Sequence, residues 1–337
     1  MKTLLLSFAL AFFSLSLFAQ QIITVSNRSG ENAMFNNLQA AIDAAIPGDT
    51  IYISGSENNY GSITVNKELH LIGPGFNPIK DFSLQASLQG IFINADASNS
   101  SFIGLVFGGL NDSQWASGIR VIGCDFSGLQ AWTNFSDLVS KEWLIANNII
   151  RGSISGYSSG GFEGKEFIIR NNIIYSSINR FSNSIINNNI FVGGGQAFNE
   201  VNLCVIYNNI YYGGSPLGAT NSVFSNNITF QTTNDALPYA NNTGATNLEG
   251  IDPQFVDVPT PGNIFSGNPY NYDFSLAESS PGKNVGSDGT DIGLFGGLGF
   301  TPGGEPALPV VTSFTIINAV INPNGALKIQ VEGRANN

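Results

Sequence analysis

The sequence predicts an all-β chain wound into a solenoid of short parallel strands, and three observations carry that reading. A paired asparagine followed by isoleucine recurs through the middle of the chain, its period is near 20 residues, and the flanking positions are apolar at fixed offsets. The copies read Leu144-Ile-Ala-Asn-Asn148-Ile, Ile168-Ile-Arg-Asn-Asn172-Ile, Ile185-Ile-Asn-Asn-Asn189-Ile, Val205-Ile-Tyr-Asn-Asn209-Ile and Val223-Phe-Ser-Asn-Asn227-Ile. Two degenerate copies precede them, Phe102-Ile-Gly-Leu-Val106-Phe and Val121-Ile-Gly-Cys-Asp125-Phe. Aligned on the position of the second asparagine (106, 125, 148, 172, 189, 209, 227), the gaps are 19, 23, 24, 17, 20 and 18 residues. Short β-branched runs at this loose period do not suit a helical repeat.

Each element follows from what the stack needs. Ile145, Ile169, Ile186, Ile206 and Phe224 form one apolar column, and Ile149, Ile173, Ile190, Ile210 and Ile228 a second. Stacked at about 4.8 Å per coil, both are expected to run inside as aliphatic ladders. Asparagine tolerates the left-handed backbone of a sharp turn, and its amide can bond the equivalent amide one coil away. Asn148, Asn172, Asn189, Asn209 and Asn227 are therefore expected to form a structural ladder. Earlier strands are expected at Thr50 to Ile53, Ile63 to Val65, Leu69 to Ile72 and Ile91 to Asn94. With the seven aligned copies they make roughly ten coils, a rod of about 45–50 Å. Leu38, Ala41, Ile42 and Ala45 form one face of a short helix that Pro47-Gly48 ends. Past Gly304 the character changes. Residues 305–337 read as a linker and two strands, Val310 to Ile317 and Ala326 to Val331, joined through Pro323-Asn324-Gly325. Some 30 residues cannot hold a core alone, so they either pack along the solenoid or serve as an anchor.

The coil pattern, the helix before the strand at Thr50, and the segments Ile251-Asp-Pro-Gln-Phe-Val-Asp257, Tyr272-Asp-Phe-Ser-Leu276 and Asp288-Gly-Thr-Asp-Ile-Gly-Leu-Phe295 together resemble secreted bacterial proteins of the pectate-lyase-like superfamily. The resemblance covers nearly all of the chain after the leader. It implies a single-stranded right-handed parallel β-helix over residues 20–304, with the helix as its N-terminal cap. It leaves function open among lyases, hydrolases, epimerases and non-catalytic surface proteins.

Composition narrows the partners. The 41 asparagines outnumber the 37 charged residues, and 24 acidic against 13 basic groups give a net charge of −11. A nucleic-acid partner, which needs a basic face, is disfavoured. Lys2 followed by the apolar run Leu4 to Phe18 reads as a signal peptide over residues 1–19, too short to span a bilayer. Its removal leaves a charge of −12 on a chain expected to be secreted or displayed at the cell surface, without a membrane span, and monomeric.

Candidate chemistry is sparse. Cys124 and Cys204 fall four coils apart, about 19 Å along the axis, which is too far for a disulfide. The single His70 excludes a multi-histidine zinc site and reads as a packed side chain. A lyase of this fold needs carboxylates that hold Ca²⁺ and an Arg or Lys that takes the proton. Arg151, Lys165 and Arg170, with Glu163 and Glu166 near the longest coil loop, are the candidates for that chemistry. Asp288 and Asp291, three apart in a glycine-rich loop, could bind calcium, the one cofactor the sequence suggests, or could simply form turns. Tyr175, Tyr207, Tyr211 and Tyr212 offer a sugar-stacking platform wherever their columns face outward. The expected function is engagement of extracellular polysaccharide, by non-catalytic binding or attachment ahead of β-elimination on a uronate glycan. A structural or adhesive rod is the third reading.

Overall fold

A computed structural model describes residues 20–77, 84–135, 138–158, 164–264, 269–317 and 326–334. The leader expected at 1–19, Glu163 and the turn expected at 323–325 lie outside them. The chain is an all-β right-handed parallel solenoid with one helix and about eight turns, slightly fewer than the ten expected. Ten parallel strands stack in chain order in the first sheet, from Ile22–Val25 through Thr50–Ile53, His70–Ile72 and so on to Val223–Ser225. The first of these was missing from the sequence reading. A second sheet, of 14 strands, covers the other faces and bends at Gly108-Gly109 and Ser127-Gly128, and four short strands form a third. Among the described residues no helix is long and apolar enough to cross a membrane.

The asparagine pair makes the corner between the first two sheets, and its members divide the work. The first takes the left-handed backbone: φ is 60° at Asn147, 51° at Asn171, 55° at Asn188 and Asn208, and 54° at Asn226. The second points inward and builds the ladder. The Asn148 backbone N–H and Nδ2 both donate to Asn172 Oδ1 (2.9 and 3.0 Å), and Nδ2 also reaches Val121 O at 2.9 Å. Asn172, Asn189 and Asn209 repeat the pattern toward Asn189, Asn209 and Asn227. The ladder runs one rung beyond the readable repeats, since Asn227 donates to Asn247 Oδ1 (3.0 Å). At the other end the Cys124 N–H donates to Asn148 Oδ1 at 2.8 Å.

That bond corrects the alignment of the two degenerate copies. Asp125 pairs with Ile149 and with Val106, so Cys124 occupies the ladder column and Gly123 the left-handed one. The copies at 106 and 125 were read one residue late. The outward column of the first sheet is accordingly Ile72, Ile103, Ile122, Ala146, Arg170, Asn187, Tyr207 and Ser225. Neither cysteine is in a disulfide, and both are buried. Burial pushes the Cys124 thiol up to about 12.

The second correction concerns the isoleucines after the pair. Ile145, Ile169, Ile186 and Ile206 do fill the solenoid, with Ile150, Ile174, Phe191 and Tyr211. Ile149, Ile173, Ile190, Ile210 and Ile228 stack in register but point out, because neighbouring strand residues alternate. They are nonetheless buried, packed with Ile264, Phe274, Leu276, Ile292 and Leu294 in a second core outside the coils. Residues 251–264 and 269–305 supply that cover as a strap running back from the last coil to the first ones. The left-handed asparagines hold it: Asn226 Nδ2 donates to Val285 O, Asn208 exchanges bonds with Ser287, and Asn188 donates to Gly293 O. Asn171 donates to Leu294 O and Gly296 O. Where the strap crosses Gly123, a Cβ would sit 2.8 Å from Gly304 O, so only glycine fits.

The helix Leu38–Ala44 caps the first coil, its N-terminus closed by Asn37 Oδ1 accepting from the Ala40 N–H, with Leu38, Ala41 and Ile42 buried. At the far end, strands Val310–Ile316 and Ile329–Arg334 pair antiparallel. Ile316, Ile317, Leu327, Ile329 and Val331 are all about half exposed, so the described part of this hairpin stands off the solenoid rather than packing along it.

Two predictions follow from this layering. Aspartate at Ile186 or Ile190 should cost more than the about 2–5 kcal/mol of a buried large-to-alanine change. Ile186→Asp should abolish the folded β signal in circular dichroism. Ile190→Asp should instead keep most of it and open residues 251–305 to limited proteolysis; identical behaviour of the two would contradict the two-core arrangement. In the ladder, Asn189→Ala leaves donors of Asn172 and the Ile169 carbonyl without partners inside the coil. At about 1–3 kcal/mol per stranded group, it should lose about 3–6 kcal/mol in denaturant melts. Asn247→Ala, on the half-exposed last rung, should lose less than half of that.

Candidate functional site

The residues singled out for lyase chemistry do not converge. Arg151 stands on the outer face of the second sheet, where Nε and Nη2 bind both oxygens of Asp125 at 2.8 and 2.6 Å. The Tyr270 hydroxyl donates to the same carboxylate, and the guanidinium lies 5.8 Å from the Tyr270 ring centre. The bond to Asp125 raises the arginine's pKa further, so it cannot take a proton from substrate. Its place is structural: it fastens the strap to the coils through Tyr270. Arg170 lies on the outer face of the first sheet, and Nη1 donates to Asn171 Oδ1 at 3.0 Å. Burial, then the neighbouring Arg120, lowers its pKa. Lys165 belongs to the third sheet, beside Ser182. Three cations on three sheets make no single centre.

The calcium loop has local partners. Asp288 Oδ1 accepts from the Thr290 N–H and hydroxyl, and those bonds lower its pKa. Asp291 accepts from Lys283 Nζ (3.1 Å) and the Asn284 N–H (3.0 Å). The pair serves the turn reading. Among the described residues no group of three or more acidic, histidine or cysteine side chains could hold a metal. His70 Nδ1 lies 2.9 Å from Ser101 Oγ, a packed side chain with a neighbour.

The tyrosine columns also need correction. Tyr211 is fully buried inside the solenoid, its ring stacked 5.1 Å from Phe191. Tyr212 is buried outside the coils under Phe230 and Phe255. Neither can meet a sugar. Tyr175 and Tyr207 are partly exposed but apart: Tyr175 follows the strand Ile173–Ile174 of the second sheet and packs against the outer core, whereas Tyr207 is in the first sheet. The rings that do gather near solvent come from the strap. Tyr270, Tyr272, Phe295 and Phe300, with Phe76 beneath, line a cavity of about 490 Å³, within the usual range of small-molecule sites.

Beside it, on the far side of the bend in the second sheet, runs a feature no motif announced. Thr64, Phe92, Asn111, Gln130, Ser155, Asn179 and Asn199 stack in register. They alternate with buried Ile63, Ile91, Leu110, Leu129, Ile154, Ile178 and Phe198, and so face outward. Six of the seven are uncharged polar groups and the seventh, Phe92, is an exposed ring. A trough of about 480 Å³ adjoins them, lined by Gly108, Gly109, Asn111, Ser127, Gly128, Gln130 and Ser155. Its glycines differ in kind. A Cβ at Gly108 would strike Gln89 O at 2.4 Å, so the bend itself demands glycine there. Neither Gly109 nor Gly128 has a left-handed backbone; a Cβ at Gly109 would have ordinary room, 3.6 Å from the nearest atom, while one at Gly128 would sit tightly, 3.3 Å from Ser153 O. Glycine inside a strand weakens it, and here it leaves the floor of the trough without side chains. The signal was legible as a polar column at every coil, but only once the register was known.

The buried tyrosine yields a prediction. Tyr211 Oη is enclosed without a hydrogen-bond partner, so Tyr211→Phe should leave the melting temperature unchanged or raise it, by up to about 1 kcal/mol of stability. A clear loss would show that the hydroxyl is satisfied. No family model matches the chain, and no curated protein aligns with it.

Proposed function

We propose that this protein is exported and binds extracellular polysaccharide without cleaving it, holding an uncharged glycan chain along the trough of the second sheet. One observation carries the reading: an uncharged amide and hydroxyl column runs beside a glycine floor in which Gly109, at least, has ordinary room for a side chain. Planar amides both donate and accept, which suits sugar hydroxyls presented at successive coils. A floor without side chains lets a pyranose approach the backbone. The strap aromatics one bend away offer flat apolar faces for a sugar ring. Export is supported by the basic and apolar leader. An extended glycan is supported by the likeness of the coils to pectate-lyase-like proteins. Against β-elimination stand the separation of Arg151, Lys165 and Arg170, and a net charge of −11 that repels polyuronate.

Affinity electrophoresis and calorimetry against neutral polysaccharides, pectate, alginate and glycosaminoglycans test this, with and without Ca²⁺. Retention is expected on at least one neutral glycan, independent of Ca²⁺. Asn111→Ala with Gln130→Ala should weaken it about tenfold or more, as expected for lost hydrogen bonds to ligand. Gly128→Leu, which fills the floor, should abolish it. Absence of retention on every glycan, or an unsaturated-uronate absorbance lost in Arg170→Ala, would overturn the reading.

A further inference from the structure

Where the strap ends against the first sheet it encloses a second cavity, on a different face from the trough. Ile72, Ile103 and Ile122, partly exposed and in register on three successive coils, make its apolar floor. Pro306, Ala307 and Leu308 form the opposite wall, and the space is about 340 Å³. An apolar cavity of ~150 Å³ already holds benzene, and small-molecule sites begin near ~300 Å³.

The polar groups of this cavity are sorted by side. Toward the later coils stands Asn147. The other four left-handed asparagines fasten the strap through their side-chain amides. The Asn147 amide makes no hydrogen bond among the described residues, and its Oδ1 is enclosed without a partner. The Asn147 backbone N–H donates to Arg170 O at 3.3 Å, so this end abuts Arg170. Arg170 follows Ile122 and Ala146 in the column that makes the floor, and Ala146 is the smallest side chain of that column. Arg120 belongs to the adjacent column, two residues before Ile122 on the same strand and the same face. That step is about 7 Å, within the reach of an arginine side chain. Neither arginine forms an ion pair among the described residues. Burial, and then the charge of Arg120, works against the charged form of Arg170, and an anion beside both would relieve the repulsion. Among the described lining residues the carboxylate is Glu305, whose backbone lies against Gly75, toward the earlier coils.

We propose that this cavity binds a small apolar carboxylate. Its hydrocarbon lies over Ile72, Ile103 and Ile122, and its carboxylate sits at the Asn147 end between Arg120 and Arg170, accepting from Asn147 Nδ2. A guanidinium meets carboxylate oxygens with paired N–H donors, and apolar walls strengthen such a contact by excluding water. The floor spans two coil spacings, about 10 Å, which suits a short unbranched chain or one aryl ring on a short arm. The site is separate from the trough and holds whether or not a glycan binds there.

Calorimetric titration of the full chain with octanoate, octanol and octylammonium, below their micelle concentrations, tests this. Octanoate should bind, octanol should bind about tenfold more weakly, and octylammonium should not bind. Arg120→Gln with Arg170→Gln should weaken octanoate about tenfold and leave octanol unchanged, with the circular dichroism spectrum intact. Arg120→Gln alone, at an exposed position, should show part of that loss. Leu308→Trp, which fills the cavity from the strap side, should abolish binding of both. Absence of octanoate binding overturns the proposal, as does octanol binding equally tightly. Tighter binding of octylammonium would assign the cavity to Glu305 and overturn it. Octanoate binding that survives loss of both arginines, or survives Leu308→Trp, overturns it as well.

Discussion

A buried amide in a parallel solenoid has to be satisfied from the coils above and below, and that requirement sets the geometry of the whole chain. Each second asparagine accepts two bonds at one oxygen and spends both amide hydrogens, one on a carbonyl of the preceding coil and one on the next asparagine. The corner can close only if successive coils sit at hydrogen-bonding distance with the same backbone turn. That is why the first asparagine of each pair must enter the left-handed region, and why coils of 17 to 24 residues share one register despite unequal loops. An amide column inside an apolar stack is costly when half satisfied and rigid when complete.

The same corner distributes the surfaces. One column of isoleucines goes in, the next goes out, and the left-handed asparagines between them present amides to whatever lies outside. Here it is the chain's own strap, which turns a would-be exposed sheet face into a second core. The sheet beyond the bend escapes the strap and carries uncharged polar side chains over an open floor. The first sheet carries aliphatics. Three faces of one repeat thus differ in character: one is covered by the strap, one is polar and open, and one is aliphatic.

The solenoid, its cap and the free cysteines were legible because each depends on periodicity or local capping, which sequence displays directly. The outward direction of Ile149, Ile173 and Ile190 was not. An isoleucine buried under a strap and one buried in the coil look alike, and the residues that cover it lie some 100 positions later. The one-residue slip at Cys124 arose because Asp125 resembles the polar member of a pair, although it reaches out to Arg151 while the thiol takes the ladder place. Tyr211 and Tyr212 fall in columns that alternation turns to opposite sides, but the strap that buries the outward one is not visible in the repeat. The trough was invisible for a related reason: Asn111, Gln130, Ser155 and Asn179 are ordinary polar residues until register aligns them.

The strap has a consequence for how the protein comes apart. A stack whose coils touch only their neighbours can fray from either end, one unit at a time. Here the segment that leaves the last coil returns to Gly123 and Asn77, near the first, bonding coils along the way. End coils that would fray are thereby tied to one another across sequence separations above 100 residues, as between Asn171 and Leu294. Such contacts form only after most of the coils exist, so closure of the strap is a late, slow event in folding. Once made, it lets the terminal coils open only together with the belt that holds them.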